Sequence, residues 1–373
     1  MKAFRFCRRS ISCLLLPAAG WASGGLNAPI DLGIILGSSA AAATGLSTQG
    51  LVVGSCEADG DSSKAFLWTP GSGISVLNTG SSIAFATGVN SMGTVVGYSF
   101  DATFSNYRAF VGDDSKIISI PTLAGGSNNA ATAISDSGVV LGYSDTAGGA
   151  IIGFFYSDGS VTSLGTLPGG STSVASAVNS SGVIVGQADA ADGSTHAVMW
   201  RGAAAMWGSG WTDLGVLPGY QSSRASAISS DGLIAGTLED GSGGASAFLW
   251  RSGSMTALGA LSASGTSRAY GVNSTGTVVG TSDGTAFFSA GTALHDLNTL
   301  LTPASSGWIL TEADAINDSG QIAGIGYYNG NQHAFLLDSI YAAAPTARLL
   351  LGGGQRPAGA RGCPARIRER PRG

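Results

Sequence analysis

The 373-residue chain carries 59 glycines, 44% hydrophobic and only 11% charged residues, the composition of a turn-dense all-β protein with short connections and no long helices. Its formal net charge of −5 hides an uneven distribution: residues 23–340 hold 7 Lys plus Arg against 22 Asp plus Glu. That acidity disfavours nucleic-acid binding by this region, because phosphate recognition needs a basic face.

In chain order, Lys2, Arg5, Arg8 and Arg9 precede an apolar run from Ile11 to Ala19, and Gly20-Trp21-Ala22 offers a small-x-small cleavage site. Residues 1–22 therefore read as an export signal, too short in its apolar part for the roughly 18–20 residues that span a bilayer. Cys13 lacks the small residues that a lipoprotein site wants before it. With the signal removed, only Cys56 and Cys363 remain, which make no disulfide framework and read as free thiols.

Ile30-Asp31-Leu32-Gly33 reads as a strand without a unit of its own. From Ala43 onward one pattern, A-x-[AG]-[ILV]-[NS]-x-x-G-x-[IV]-x-G, recurs seven times, starting at Ala43, Ala86, Ala131, Ala175, Ala225, Ala269 and Ala313, with a period near 44 residues. Asn or Ser followed three residues later by Gly is a tight-turn signature, and the alternating residues on either side predict two short strands. A second apolar run, such as Ala65-Phe66-Leu67-Trp68 or Ala247-Phe248-Leu249-Trp250, predicts a third. A fourth ends in Leu-Gly at Leu164, Leu214 and Leu258. Each unit is a four-stranded antiparallel meander that buries its apolar faces only against its neighbours.

Such units stack as an open solenoid or close as a propeller, and the ends of the array decide. The last unit stops after a third strand at His333 to Asp338, whereas Ile30–Gly33 supplies the missing fourth; no polar capping units are present. The expected architecture is an all-β, seven-bladed β-propeller over residues 23–340, closed by pairing of its N- and C-terminal strands. Residues 341–373 change abruptly to seven Arg with many Gly, Pro and Ala, and read as a disordered basic tail or as sequence translated out of frame.

Within the repeats, Glu57, Asp59, Asp61, Asp101, Asp145, Asp189, Asp192, Glu239, Asp240 and Asp283 gather at the turn between second and third strands. That turn shares a face with the interblade loops, so Tyr220, Arg224 and Arg268 are expected beside it, and this rim is the expected binding face. Glu57, Asp59 and Asp61 are candidates for a calcium or other divalent-cation site. Turn geometry alone also favours Asp there, and that reading is preferred, since no run matches a full calcium loop; no other cofactor is expected. An insertion of six residues between Arg201 and Asp213 places Trp207 and Trp211 in a lengthened turn on the opposite face. Paired indoles are a platform for sugar rings or apolar partner groups, or cover their own hairpin. Trp68, Trp200 and Trp250 share one strand position, which argues interblade packing.

Enzyme signatures are thin. Gly280-x-Ser282-x-Gly284 matches a nucleophile elbow by letter but not by structural context, and His196, His295 and His333 fall at unequal repeat positions.

The Ala-Phe-Leu-Trp segments, the Leu164–Gly170 run Leu-Gly-Thr-Leu-Pro-Gly-Gly and the closing Ala315-Ile316-Asn317-Asp318-Ser319-Gly320-Gln321-Ile322 segment resemble the HAF repeat family over roughly residues 30–338. The resemblance implies an exported bacterial surface or extracellular protein and brings no shared catalytic residue or ligand. The expected function is a monomeric, non-enzymatic extracellular binding, adhesion or scaffold module for a protein or polysaccharide, with no transmembrane span; the alternative is a propeller hydrolase or lyase acting on an extracellular polymer. Innermost motif positions that are monotonously Ala, Gly and Val favour binding over catalysis.

Overall fold

A computed structural model describes residues 28–35, 37–58, 62–201 and 210–340. The expected export signal, the basic tail, Cys363, Asp59, Asp61 and Trp207 lie outside the described residues.

Each repeat opens with an innermost strand: Ser38–Leu46, Ala84–Val89, Asn129–Ile134, Ser173–Val178, Ser222–Ile228, Ser267–Val272 and Trp308–Ile316. The turn that follows requires its glycine, since Gly50, Gly93, Gly138, Gly182, Gly232, Gly276 and Gly320 all have φ between 75° and 85°. The Asn-or-Ser position caps this turn. Asn90 Oδ1 accepts from the Met92 and Thr94 amides at 3.1 and 2.9 Å, while its Nδ2 donates to the Ser135 carbonyl of the next blade at 3.4 Å. Asn179, Asn273 and Asn317 likewise reach Ser229, Asn317 and Ser47 at 3.2, 3.2 and 3.1 Å. Where the motif has Ser47, Ser135 or Ser229, the shorter side chain caps its own turn only.

The motif's last glycine answers a different demand. A Cβ on Gly54, Gly97, Gly142 or Gly236 would fall on a carbonyl oxygen of the inner strand and lie 2.7–2.9 Å from the facing phenylalanine ring. The cross-strand partners are Phe66, Phe110, Phe154 and Phe248, all fully buried. Each phenylalanine thus lies over bare backbone and extends into the space between blades, a burial worth roughly 2–3 kcal/mol per ring.

The seven sheets are four-stranded and antiparallel and form a ring, the seven-bladed β-propeller expected. The apolar core is distributed into seven clusters, one at each junction. The junction of seventh and first blades, for example, packs Ala323, Ala334 and Leu336 against Ala43, Phe66 and Trp68. Trp200 is buried at the equivalent position of the fourth blade, as interblade packing requires. Cys56 is buried and free, and burial pushes its thiol up.

Closure is made by the first strand, Ile30–Asp31, which pairs with Asn331–Leu337 as the outer strand of the seventh blade, in the register Ile30 to Leu336 and Asp31 to Phe335. His333 Nδ1 meets Asp31 Oδ1 at 2.9 Å, fixing that strand. Among the described residues no helix is long and apolar enough to cross a membrane.

Candidate functional site

All seven inner strands carry a register shift at one equivalent place, directly after the motif alanine. The extra residue of this bulge is Thr44, Thr87, Thr132, Ser176, Ser226, Tyr270 or Asp314. A bulge breaks the in-and-out alternation of a strand and re-aims a side chain. Here Thr44, Thr132, Ser176, Ser226, Tyr270 and Asp314, contributed by six blades, line one cavity of about 310 Å³. The expectation of an axis lined only by Ala, Gly and Val is therefore corrected: the unspecified second position of the motif supplies a polar ring.

The ring has a definite hydrogen-bond character. Thr44, Thr87 and Thr132 donate their hydroxyl protons to the carbonyls of Ala86, Ala131 and Ala175, each the motif alanine of the next blade, at 2.7, 2.9 and 2.8 Å. Their protons committed, these hydroxyls offer the cavity acceptor lone pairs. Asp314 differs from every equivalent residue: its Oδ2 is buried and has no hydrogen-bond partner. Burial, with the charge of Glu312 adding to it, pushes its carboxyl up to about 8. Tyr270 is raised by burial and then by Glu312 and Asp314, so its phenol stays protonated.

Residues one position before the motif alanine, two before the bulge residue, carry larger groups: Phe85, Arg224, Arg268 and Glu312. Arg224 Nη1 donates to Gln187 Oε1 at 2.9 Å, and its Nε lies 3.5 Å from Glu239 Oε2; Arg268 is exposed. The structure thus places Arg224 and Arg268 at equivalent positions in adjacent blades, next to the axial ring. Tyr220 sits in the loop before the fifth blade, packed against the cluster containing Ala225 and Phe248. Trp211 begins the outer strand Trp211–Gly215 of the fourth blade, pairs with Trp200 and packs at the junction with the third blade, so it is not brought together with the axial residues.

The acidic rim is largely engaged in holding loops. Asp145 Oδ1 accepts from the Ser127 and Asn128 amides at 2.6 and 2.8 Å, and Asp283 Oδ1 from Thr266 N at 2.8 Å, each clamping the loop that enters its own blade. Asp101, Asp192 and Asp240 cap their own turns. The side chains of Asn106 and Thr103 hold Asp101 far below the usual carboxylate range, Ser194 lowers Asp192, and the Ser242 amide lowers Asp240. Glu57 is exposed near the end of its strand. Among the described residues no group of three or more His, Cys, Asp or Glu is placed to hold a metal.

A partly buried aromatic stripe, unremarked in the sequence, runs across the second blade: Phe85 stacks on Tyr98 at 5.2 Å, and Tyr98 and Phe100 meet Tyr107 at 5.9 and 5.7 Å. Tyr143 of the third blade joins it, pushed up to about 12 by burial and by Tyr107 and Tyr98. A second depression of about 480 Å³ lies at the outer edge of the first blade, where Lys64 Nζ is already held by the Ser81 carbonyl at 3.0 Å.

Fold and site together define a seven-bladed propeller with a polar axial pocket of unequal blades. No family model and no curated protein matches the sequence. Among solved structures, the β-propeller domain of the Trilobed protease from Pyrococcus furiosus, described as having an open velcro topology, aligns over 81% of this chain and 94% of its own at 9% identity, with a TM-score of 0.51. TolB from Acinetobacter baumannii aligns over 78% of this chain at 13% identity and a TM-score of 0.47, and this chain spans 64% of its length. The Aleuria aurantia lectin aligns over 84% of this chain and 99% of its own at 12% identity and a TM-score of 0.38. At such identities the likeness concerns the fold alone.

Proposed function

We propose that the protein is an exported, non-enzymatic binding module whose ligand enters the propeller axis and is recognised as a polyhydroxylated compound, such as a sugar unit of an extracellular polysaccharide. The observation that carries this reading is the axial cavity itself, ringed by hydroxyls from separate blades. Such a ring exchanges hydrogen bonds with sugar hydroxyls, and convergent polar groups in a preformed concavity are the usual form of a small-ligand site. Phe85 and Tyr98 stack on each other on the second blade and would offer an apolar face there. Export rests on the amino-terminal pattern of residues 1–22 and on the resemblance to HAF repeat proteins. Binding of the full chain to a glycan array, compared with a Ser176→Ala/Ser226→Ala variant, tests the reading; glycan signals unchanged by the double substitution would refute the axial site.

A second reading is favoured by Asp314. A carboxyl still protonated at neutral pH, with Glu312 two residues away on the same strand, has the makings of a general acid with a carboxylate companion. Release of reducing ends from a polysaccharide, lost in Asp314→Asn, would replace binding by hydrolysis as the function.

A further inference from the structure

Resting on the axial binding reading, we propose that this cavity holds an organic ammonium group, with Asp314 as its counter-ion and the hydroxyls of Thr44, Thr132, Ser176 and Ser226 as its hydrogen-bond acceptors. Three observations converge on this class of ligand. First, Asp314 is partly buried and borders a cavity that no cationic side chain lines, and its buried Oδ2 has no hydrogen-bond partner. An unmatched buried carboxyl is costly, and a ligand that supplies a positive charge and donors removes the cost. Second, the ring is rich in acceptors: the Thr44 and Thr132 protons are committed to Ala86 and Ala175, and Ser176 and Ser226 have no partner among the described residues. An ammonium group carries three donors and no acceptor, the complement of such a ring. Third, the asymmetry is local. Six blades present a hydroxyl, aliphatic or phenolic, where the seventh presents a carboxylate, so the ring binds one charge at one place.

Other ligands fit less well. An anion would face Asp314 without a positive partner. Calcium takes six to eight oxygens, commonly from more than one carboxylate, whereas Asp314 is the single carboxylate lining the cavity. The charged and titratable groups around Asp314 are Glu312 on its own strand and Tyr270, itself influenced by Arg268, on the sixth blade; the first blade presents uncharged Thr44. Both carboxylates favour a cation, and Arg268 lies two residues before Tyr270.

Binding a cation ionises the carboxyl, so a proton leaves Asp314 for the buffer as the ammonium enters. The test compares D-glucamine, its amine-free counterpart sorbitol, putrescine and calcium chloride by titration calorimetry on the full chain and on Asp314→Asn. The expected result is D-glucamine binding at least tenfold tighter than sorbitol, with proton release that differs between buffers, an affinity that rises as pH is raised from 5.5 to 7.5, and no preference for the amine in Asp314→Asn. Ser176→Ala/Ser226→Ala should weaken both polyols while keeping the preference. Equal affinity for D-glucamine and sorbitol would overturn the ammonium assignment and leave the polyol reading standing. Putrescine binding as tightly as D-glucamine, with sorbitol inert, would uphold the ammonium site and overturn the polyol reading. Binding of calcium that Asp314→Asn abolishes would overturn the proposal in favour of a metal site, and silence of every probe would overturn both readings.

Discussion

Replacing Asp314 by Asn should change how stability depends on pH, with a sign fixed by the burial of that carboxyl. In the folded chain the group holds its proton up to about pH 8, whereas an unfolded aspartate releases it near 3.9. Below about pH 4 both states are protonated and nothing is lost. Above it the unfolded state ionises while the native state does not, so stability falls by up to about 1.4 kcal/mol per pH unit until the native carboxyl itself ionises. Between pH 5 and 7 the wild-type chain should thus lose about 3 kcal/mol that Asp314→Asn keeps, a ceiling because the cavity side of the group meets water. For a ring of this size that corresponds to roughly 5 °C in Tm. Asp101, Asp192 and Asp240 act oppositely: their lowered carboxyls favour the folded state and lose that contribution only as pH falls towards their own range, outside this window. The histidines are common to both proteins and cancel. Thermal unfolding followed by near-UV circular dichroism from pH 5 to 8.5 reads the difference. A Tm gap between the two proteins that stays constant across that range would refute the desolvated carboxyl and, with it, the account of the axial site.

Gly236→Ala, which drives a methyl onto the inner strand and the Phe248 ring, should cost more than about 3 kcal/mol and reduce soluble yield, whereas Gly232→Ala, with φ of 83° and open space around it, should cost about 1–2 kcal/mol by urea denaturation. Asn317→Ser keeps the turn cap, as Ser47 shows, but loses the bond across the junction to the first blade; a loss of about 1 kcal/mol is expected, and no change would remove that bond from the closure. Deleting residues through Gly33 exposes the edge of Asn331–Leu337, and size-exclusion chromatography should show association that the full chain does not. EDTA and calcium should leave Tm of wild type within a degree, because the rim carboxylates already bind amides; a calcium-dependent rise lost in Glu57→Gln would reverse that reading.

The architecture was legible because each repeat writes its geometry in residues with few alternatives. Glycine at positive φ, glycine under a phenylalanine ring and asparagine at a turn recur at fixed spacing, and Ile30–Gly33 stood out as a strand lacking a unit. The axis was not legible, for a local reason. Strict alternation assigns the motif alanine and its successor to opposite faces of a flat strand, but the bulge absorbs one residue and turns Thr44, Ser226 or Asp314 towards the centre. That position varies between repeats and so reads as unspecified. The acidic rim was visible as composition, while its use emerged from backbone amides of a neighbouring loop, which carry no sequence signature. The stripe of Phe85, Tyr98 and Tyr107 was hidden because its members come from three strands and face one another only after folding.

The bonds from the inner-strand threonines and the turn asparagines run one way, each to the following blade, at six of the seven junctions, and Asn317 donates to Ser47 across the junction of the seventh and first blades. A linear repeat array frays from its ends, but a hoop has none until it is cut. The two-residue strand at Ile30–Asp31 is where this hoop is fastened, so it acts as a latch. Its release would uncover the outer edge of the seventh blade and open the one end from which a closed array of repeats can fray.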